Sequence, residues 1–87
     1  MTNQTLTISA TLNEIVRKFA PRDRAGVALT PETRLVDDFG IDSPRMIDIV
    51  LEVEDRFGVS VDDDAMARVR TFGEVLSLVL ELTGAEA

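Results

Sequence analysis

Apolar residues fall at helical spacing in three stretches of this chain, and each stretch is bounded by residues that start or stop a helix. Ile8, Leu12, Ile15, Val16 and Phe19 make one stripe, which ends before Pro21. Proline has no N–H to donate and pushes the residue before it away from helical angles. The spacing predicts a helix over residues 6–19, with Thr5, Thr7 or Ser9 available to cap it. Met46, Ile49, Val50, Val53 and Phe57 make a second stripe, predicting a helix over 43–57. Asp42 or Ser43 would cap it, Pro44 fits its first turn and Gly58 stops it. Phe72, Val75, Leu76, Val79 and Leu80 form the third, over 72–83, with Thr71 as its cap and Gly84 beyond its end. Between the second and third, Asp62, Asp63 and Asp64 lie where acids favour a helix start, ahead of Met66 and Val69. That predicts a short helix over 62–69, preceded by a connector whose Val59 and Val61 turn inward.

Stripes of this kind are buried only against one another, so the expected fold is all-α. It is a small four-helix bundle with three longer helices, a short third helix and a long loop between helices 1 and 2. The 87 residues suit one domain spanning 1–87. A core this small leaves a net stability of roughly 5 to 10 kcal/mol. The loop, from Pro21 to Asp42, carries the breakers Gly26, Pro31 and Gly40 and the apolar anchors Val27, Leu29, Leu35, Val36 and Phe39. Loops this long in compact domains are usually functional or disordered, and the anchors argue for a packed, functional one.

Absent residues narrow the chemistry. There is no Cys and no His, which removes disulfides, thiolate nucleophiles, Ser/His/Asp triads and imidazole metal sites. Any enzyme here would depend on carboxylates or on Lys18, the only lysine, and a small helical domain rarely builds the cleft that tunes them. A non-catalytic role is expected. The first residues lack a basic segment followed by an apolar one, and no stretch is long enough to span a membrane, so the cytoplasm is the expected location.

The formal net charge of −7 would repel nucleic acid and favours a partner with a basic patch. It is unevenly distributed. Residues 37–64 hold ten of the sixteen acids against Arg45 and Arg56, a net charge of −8, whereas residues 1–34 carry a net charge of +2. Neither Asp37, Asp38 and Asp42 nor Asp62 to Asp64 has the ligand order, glycine or closing glutamate of a calcium loop, so no metal site is expected.

The most informative segment is Asp38-Phe39-Gly40-Ile41-Asp42-Ser43, running straight into the second helix. It offers a hydroxyl at a helix N-terminus, where free N–H groups and the helix dipole favour an attached phosphate. The plainer reading is that Ser43 or Asp42 is only a cap.

The stretch from Leu35 to Phe72 resembles the acyl carrier protein family. The likeness is carried by Leu35-Val36-Asp37-Asp38-Phe39-Gly40-Ile41-Asp42-Ser43, then Ile47-Asp48-Ile49-Val50, Glu54-Asp55-Arg56-Phe57-Gly58, and Val69-Arg70-Thr71-Phe72-Gly73-Glu74-Val75. It implies that Ser43 is the serine a phosphopantetheinyl transferase modifies from coenzyme A, leaving a covalent 4′-phosphopantetheine arm tipped by a thiol. Asp42 then matches the aspartate that helps hold the transferase's magnesium, and Gly40 the glycine that shapes the turn. A chain without cysteine fits a carrier whose thiol comes from its arm.

The resemblance also makes helix 2 the helix that partners read. Ile47, Leu51, Glu54 and Asp55 lie beside its buried stripe, rimmed by Asp48 and Glu52; Ile47 and Leu51 either form the centre of a docking seam or pack into the core. Acyl cargo in this family is often drawn between the helices; Met46, Val50, Val53, Met66 and Val69 would line such a space or belong to an ordinary core. The expected partners are the transferase and acyl-loading and acyl-processing enzymes with basic patches, met by a monomer without membrane insertion. Pro44 and Arg45 stand where the family usually has leucine and often an acid, which implies a specialised carrier with altered partner contacts at Arg45. Two other readings remain: an aminoacyl or peptidyl carrier, and an unmodified acidic interaction module.

Overall fold

The computed structural model describes residues 3–24 and 26–84. Its elements are helix α1, Asn3–Phe19; a single 3₁₀ turn, Arg22–Arg24; α2, Ser43–Phe57; α3, Asp63–Arg68; and α4, Phe72–Thr83. There is no strand among the described residues, only an isolated bridge between Arg34 and Thr71. The all-α bundle with a short third helix and a long first loop is the architecture found.

Helix α1 begins earlier than its apolar stripe does. Thr5 is buried one turn ahead of Ile8 and extends the inward face in a way that a reading of apolar residues alone does not register. Thr5, Thr7 and Ser9 are therefore all inside the helix and none caps it; the cap position lies outside the described residues. Ile8, Leu12, Ile15 and Val16 are buried as their spacing predicts, and α1 packs on both α2 and α4. From α2 come Ile49 and Val53, and from α4 Phe72, Val75, Val79 and Leu80. Helix α3 buries none of its residues fully. It starts at Asp63 because Asp62 is its cap, accepting from Ala65 N–H at 3.1 Å, and Val69 ends it.

The long loop supplies three of the most deeply buried side chains, Leu35, Phe39 and Ile41. Ile41 was not among the expected anchors, and Val27 and Val36, which were, are exposed. The reason is local. Residues 34–39 fold as one tight turn in which Asp38 and Phe39 N–H both donate to Arg34 C=O and Asp38 Oδ2 accepts from Arg34 N–H. Leu35 and Phe39 then share one side, four apart, and Val36 falls on the other.

This turn is bonded to the start of α4. Leu35 N–H donates to Arg70 C=O at 3.0 Å, Phe72 N–H to Thr33 C=O at 2.9 Å and Gly73 N–H to Pro31 C=O at 2.9 Å. The last contact needs a bare α-carbon, since a methyl on Gly73 would stand 2.8 Å from Pro31 O. Helix α4 is capped there by a reciprocal pair: Thr71 Oγ1 accepts from Glu74 N–H and Glu74 Oε1 accepts from Thr71 N–H. Hydrogen bonds from Thr71 and then Arg70 N–H hold the Glu74 carboxyl below its ordinary value of 4.5.

Two outcomes follow from this junction. Gly73→Ala forces the loop off α4 and should cost about 1 to 3 kcal/mol, read as a lower urea midpoint at unchanged slope. Because Glu74 is more acidic folded than unfolded, its contribution is complete above pH 4.5 and is lost as the pH falls through its lower folded value. Stability measured against pH should therefore fall less steeply in that acid window for Glu74→Gln than for the natural chain.

Candidate functional site

The start of α2 is set by Asp42, which has extended backbone angles and accepts from Arg45 N–H through Oδ1 at 3.1 Å. Met46 N–H donates to Asp42 C=O, closing the first helical turn. Of the two candidate caps, the structure thus selects Asp42. Ser43 becomes the first helical residue, exposed, with no hydrogen-bond partner for its hydroxyl among the described residues. Pro44 follows and has no N–H, and Arg45 N–H is taken by Asp42. The free donors expected around Ser43 accordingly include its own N–H but not those of residues 44 to 46, added to the dipole of a 15-residue helix.

Gly40 delivers the chain to this point. Its φ of +73° lies in the left-handed region, and a methyl there would stand 3.2 Å from Pro21 Cγ. Gly40 N–H and Ile41 N–H donate back to Val36 and Leu35 C=O, so Ile41 is driven into the core and Asp42 emerges beside it, exposed.

Arg45 does something its position in the sequence does not suggest. Its Nη1 donates to Phe19 C=O at 3.0 Å, and its Nε lies 3.7 Å from Asp42 Oδ2. Because α1 ends at Phe19, the C=O of that residue has no helical N–H ahead to accept from, and Arg45 supplies a donor from another helix. A residue expected to face partners is thus turned largely onto its own fold, though its side chain remains half exposed.

Ile47 and Leu51 are not core: they are 61% and 57% exposed on the outer face of α2. The acids expected around them divide into two groups. Glu54 Oε2 accepts from Val61 N–H at 2.8 Å, which ties the connector before α3 to α2 and removes Glu54 from a purely outward role. Glu52 faces Lys18 at 3.5 Å and Arg56 at 3.7 Å. Asp48 and Asp55 are exposed and make no ion pair or hydrogen bond among the described residues.

Beside Ile47 and Leu51 runs a groove of about 530 Å³ between α2 and α3, walled also by Met46, Val50, Val61 and Met66. Behind those four residues, the space leading to Val53 and Val79 holds only about 10 Å³. That is near the smallest volume a single water occupies, so the interior is shut. Val69 lines neither space and belongs to a separate concavity of about 660 Å³ against α4, which does not include Ser43. Of the remaining groove walls, Val61 and Asp63 were read from the sequence only as an inward-turning connector residue and a helix-start acid, and Ala67 was not singled out; they lie on or before a helix too short to show a clear stripe.

The chain is similar to known proteins. A family model described as "Phosphopantetheine attachment site" matches residues 10–79. The chain is 38% identical over 82 residues to an acyl carrier protein of Rhodococcus erythropolis, covering 92% of this chain and 88% of that one. It is 37% identical over 75 residues to the meromycolate extension acyl carrier protein of Mycolicibacterium aurum, covering 86% and 75% respectively. The solution structure of the acetyl actinorhodin acyl carrier protein from Streptomyces coelicolor superposes with a TM-score of 0.70 at 28% identity, over 87% of this chain and 90% of that one. The chain belongs to the acyl carrier protein family, whose members are non-catalytic and bear acyl groups on phosphopantetheine.

The turn at Gly40 provides a test of how the site is held. Gly40→Ala should destabilise the fold by about 1 to 2 kcal/mol through its left-handed backbone alone. Amide exchange at Ile41, whose N–H bond closes that turn, should accelerate with it.

Proposed function

We propose that Ser43 is the residue of this carrier that receives phosphopantetheine, and that the outer face of α2 with the start of α3 is what partner enzymes read. The observation that carries the first statement is a free, exposed hydroxyl at the first residue of α2, with capping left to Asp42. The surroundings fit a phosphodiester: the positive end of the helix, the Ser43 N–H and the nearby half-exposed Arg45 guanidinium all favour negative charge. When bound, the group supplies the thiol on which an acyl chain is carried as a thioester, chemistry that a chain without cysteine cannot offer itself.

In the modification, a transferase joins Ser43 Oγ to phosphorus as the diphosphate of coenzyme A breaks. The hydroxyl proton goes to a base and an adenosine bisphosphate leaves. Asp42, 62% exposed despite capping α2, is available to help position the transferase's magnesium. Gly40 holds both residues at the surface.

For docking, Ile47 and Leu51 give an apolar centre and Asp48 and Asp55 an acidic rim whose charges are not already committed. Each rim contact with a partner's Arg or Lys is worth about 1 kcal/mol or less, suited to a shuttle that must release. Pro44 and Arg45 depart from the family's leucine and acid, and Arg45 is occupied internally, so partner contacts move toward the middle of α2. This favours a carrier dedicated to one acyl-chain pathway in the cytoplasm, in line with relatives that include a meromycolate extension carrier.

Incubation with coenzyme A and a broad-specificity transferase should add the mass of one phosphopantetheine, and Ser43→Ala should abolish the gain. A natural chain whose mass never changes, or a Ser43→Ala chain that is still modified, would sink the assignment. Asp42→Asn should slow the transfer and leave the site of attachment unchanged.

A further inference from the structure

At the corner where α1 ends, a pocket of about 310 Å³ opens between Arg17, Lys18, Arg22 and Arg24, over a floor that includes Pro21 and Phe39. No acid lines it among the described residues. Arg17 Nη2 donates to Val27 C=O at 2.9 Å while its guanidinium lies 5.6 Å from the Phe39 ring centre, and Arg24 Nε donates to Asp38 C=O at 3.2 Å. Arg17 Nε also donates to Asn13 Oδ1 at 2.6 Å, so oxygens on several elements hold both guanidiniums at the edge of the pocket. Asp23 meets Arg24 and Glu52 meets Lys18, but neither acid forms part of the wall. Arg22 is exposed and has no partner among the described residues. Arg45 brings a further cation to the same corner through its bond to Phe19 C=O.

In a chain of net charge −7, four cations around Pro21 and Phe39 offer chemistry that suits a small organic anion. It is also close to Ser43. Gly40 packs on Pro21, and the three residues from Gly40 to Ser43 span at most about 11 Å. An arm on Ser43 long enough to enter other enzymes can bend back over that distance.

We infer that this pocket binds the free carboxylate of a dicarboxylic acyl group carried on the arm, so that the carrier distinguishes cargo ending in a carboxylate from cargo ending in a methyl. The inference rests on Ser43 being the attachment residue. Guanidiniums suit a carboxylate, and Phe39 and Pro21 accept the methylenes before it. A tethered anion also needs only modest intrinsic affinity, because the tether raises its local concentration.

The test uses the whole chain in four forms: unmodified, carrying the arm alone, and carrying butyryl or succinyl groups, which match in carbon count and differ in the terminal carboxylate. Mass spectrometry reports loading, and ¹H–¹⁵N spectra report the pocket through the Gly40 amide and the Arg22 and Arg24 Nε–H signals. Succinyl, and not butyryl, should shift those signals, and the shifts should shrink as salt is added. Arg22→Glu should still be loaded and should lose the succinyl-specific shifts, while Arg22→Lys keeps part of them. Identical pocket signals in the butyryl and succinyl forms would overturn the inference while leaving the attachment reading intact. So would shifts that arise on adding the arm alone and ignore the cargo, since the pocket would then hold the phosphodiester. A chain that takes no arm sinks the attachment reading, and this one with it.

Discussion

The fold depends on the pairing of a long loop with the first turn of the last helix. Ordering a loop of this length costs about 1 to 2 kcal/mol of backbone entropy per residue, and no regular element spans most of it. The opposing contributions are concentrated. Leu35, Phe39 and Ile41 plug the space between α1, α2 and α4, and three backbone bonds join residues 31–35 to residues 70–73. Gly73 has no side chain because that approach leaves no room for one. With the loop fixed there, Gly40 can turn, Ile41 can bury and α2 can begin with Ser43 in solvent. A solvent-facing hydroxyl is thus the product of contacts made on the opposite side of the loop.

Charge is arranged around the same point by chain connectivity and by partnering. The acids of α2 look equivalent in the sequence, but Asp42 caps a helix, Glu52 faces Lys18 and Arg56, and Glu54 holds the connector before α3. Asp48 and Asp55 remain available on the helix itself. On the other side of Ser43, cations from α1 and the 3₁₀ turn gather with Arg45 from α2. An approaching enzyme therefore meets a surface with negative charge toward α2 and α3 and positive charge toward the end of α1. Such a gradient selects orientation more than affinity.

The helices were legible because their apolar residues repeat at a period that only one local structure satisfies. The limits of α2 and α4 were readable for the same kind of reason: Pro44, Gly58, Thr71 and Gly84 act through backbone geometry within a few residues of themselves. The start of α1 was less so, because a buried threonine carries no apolar mark. In the loop, Leu35 and Phe39 were identified and Val27 and Val36 misplaced, since no period exists there to say which side of the chain faces inward. For Ile47 and Leu51 the sequence left docking and core open; the helix packs on α1 through Ile49 and Val53, and that choice of face leaves both outside.

By itself, then, the sequence determined an all-α bundle, the limits of its second and last helices, the lack of thiol and imidazole chemistry, and a serine at the head of the second helix. Those properties are local, set by the period of side chains and the special angles of proline and glycine. Only the tertiary structure decided that Asp42 caps in place of Ser43, that Arg45 closes a helix more than twenty residues away, and that the basic pocket gathers around Phe39. Each of these depends on groups distant in the chain meeting at hydrogen-bonding range, and no local pattern encodes which donor reaches which acceptor once the helices have packed.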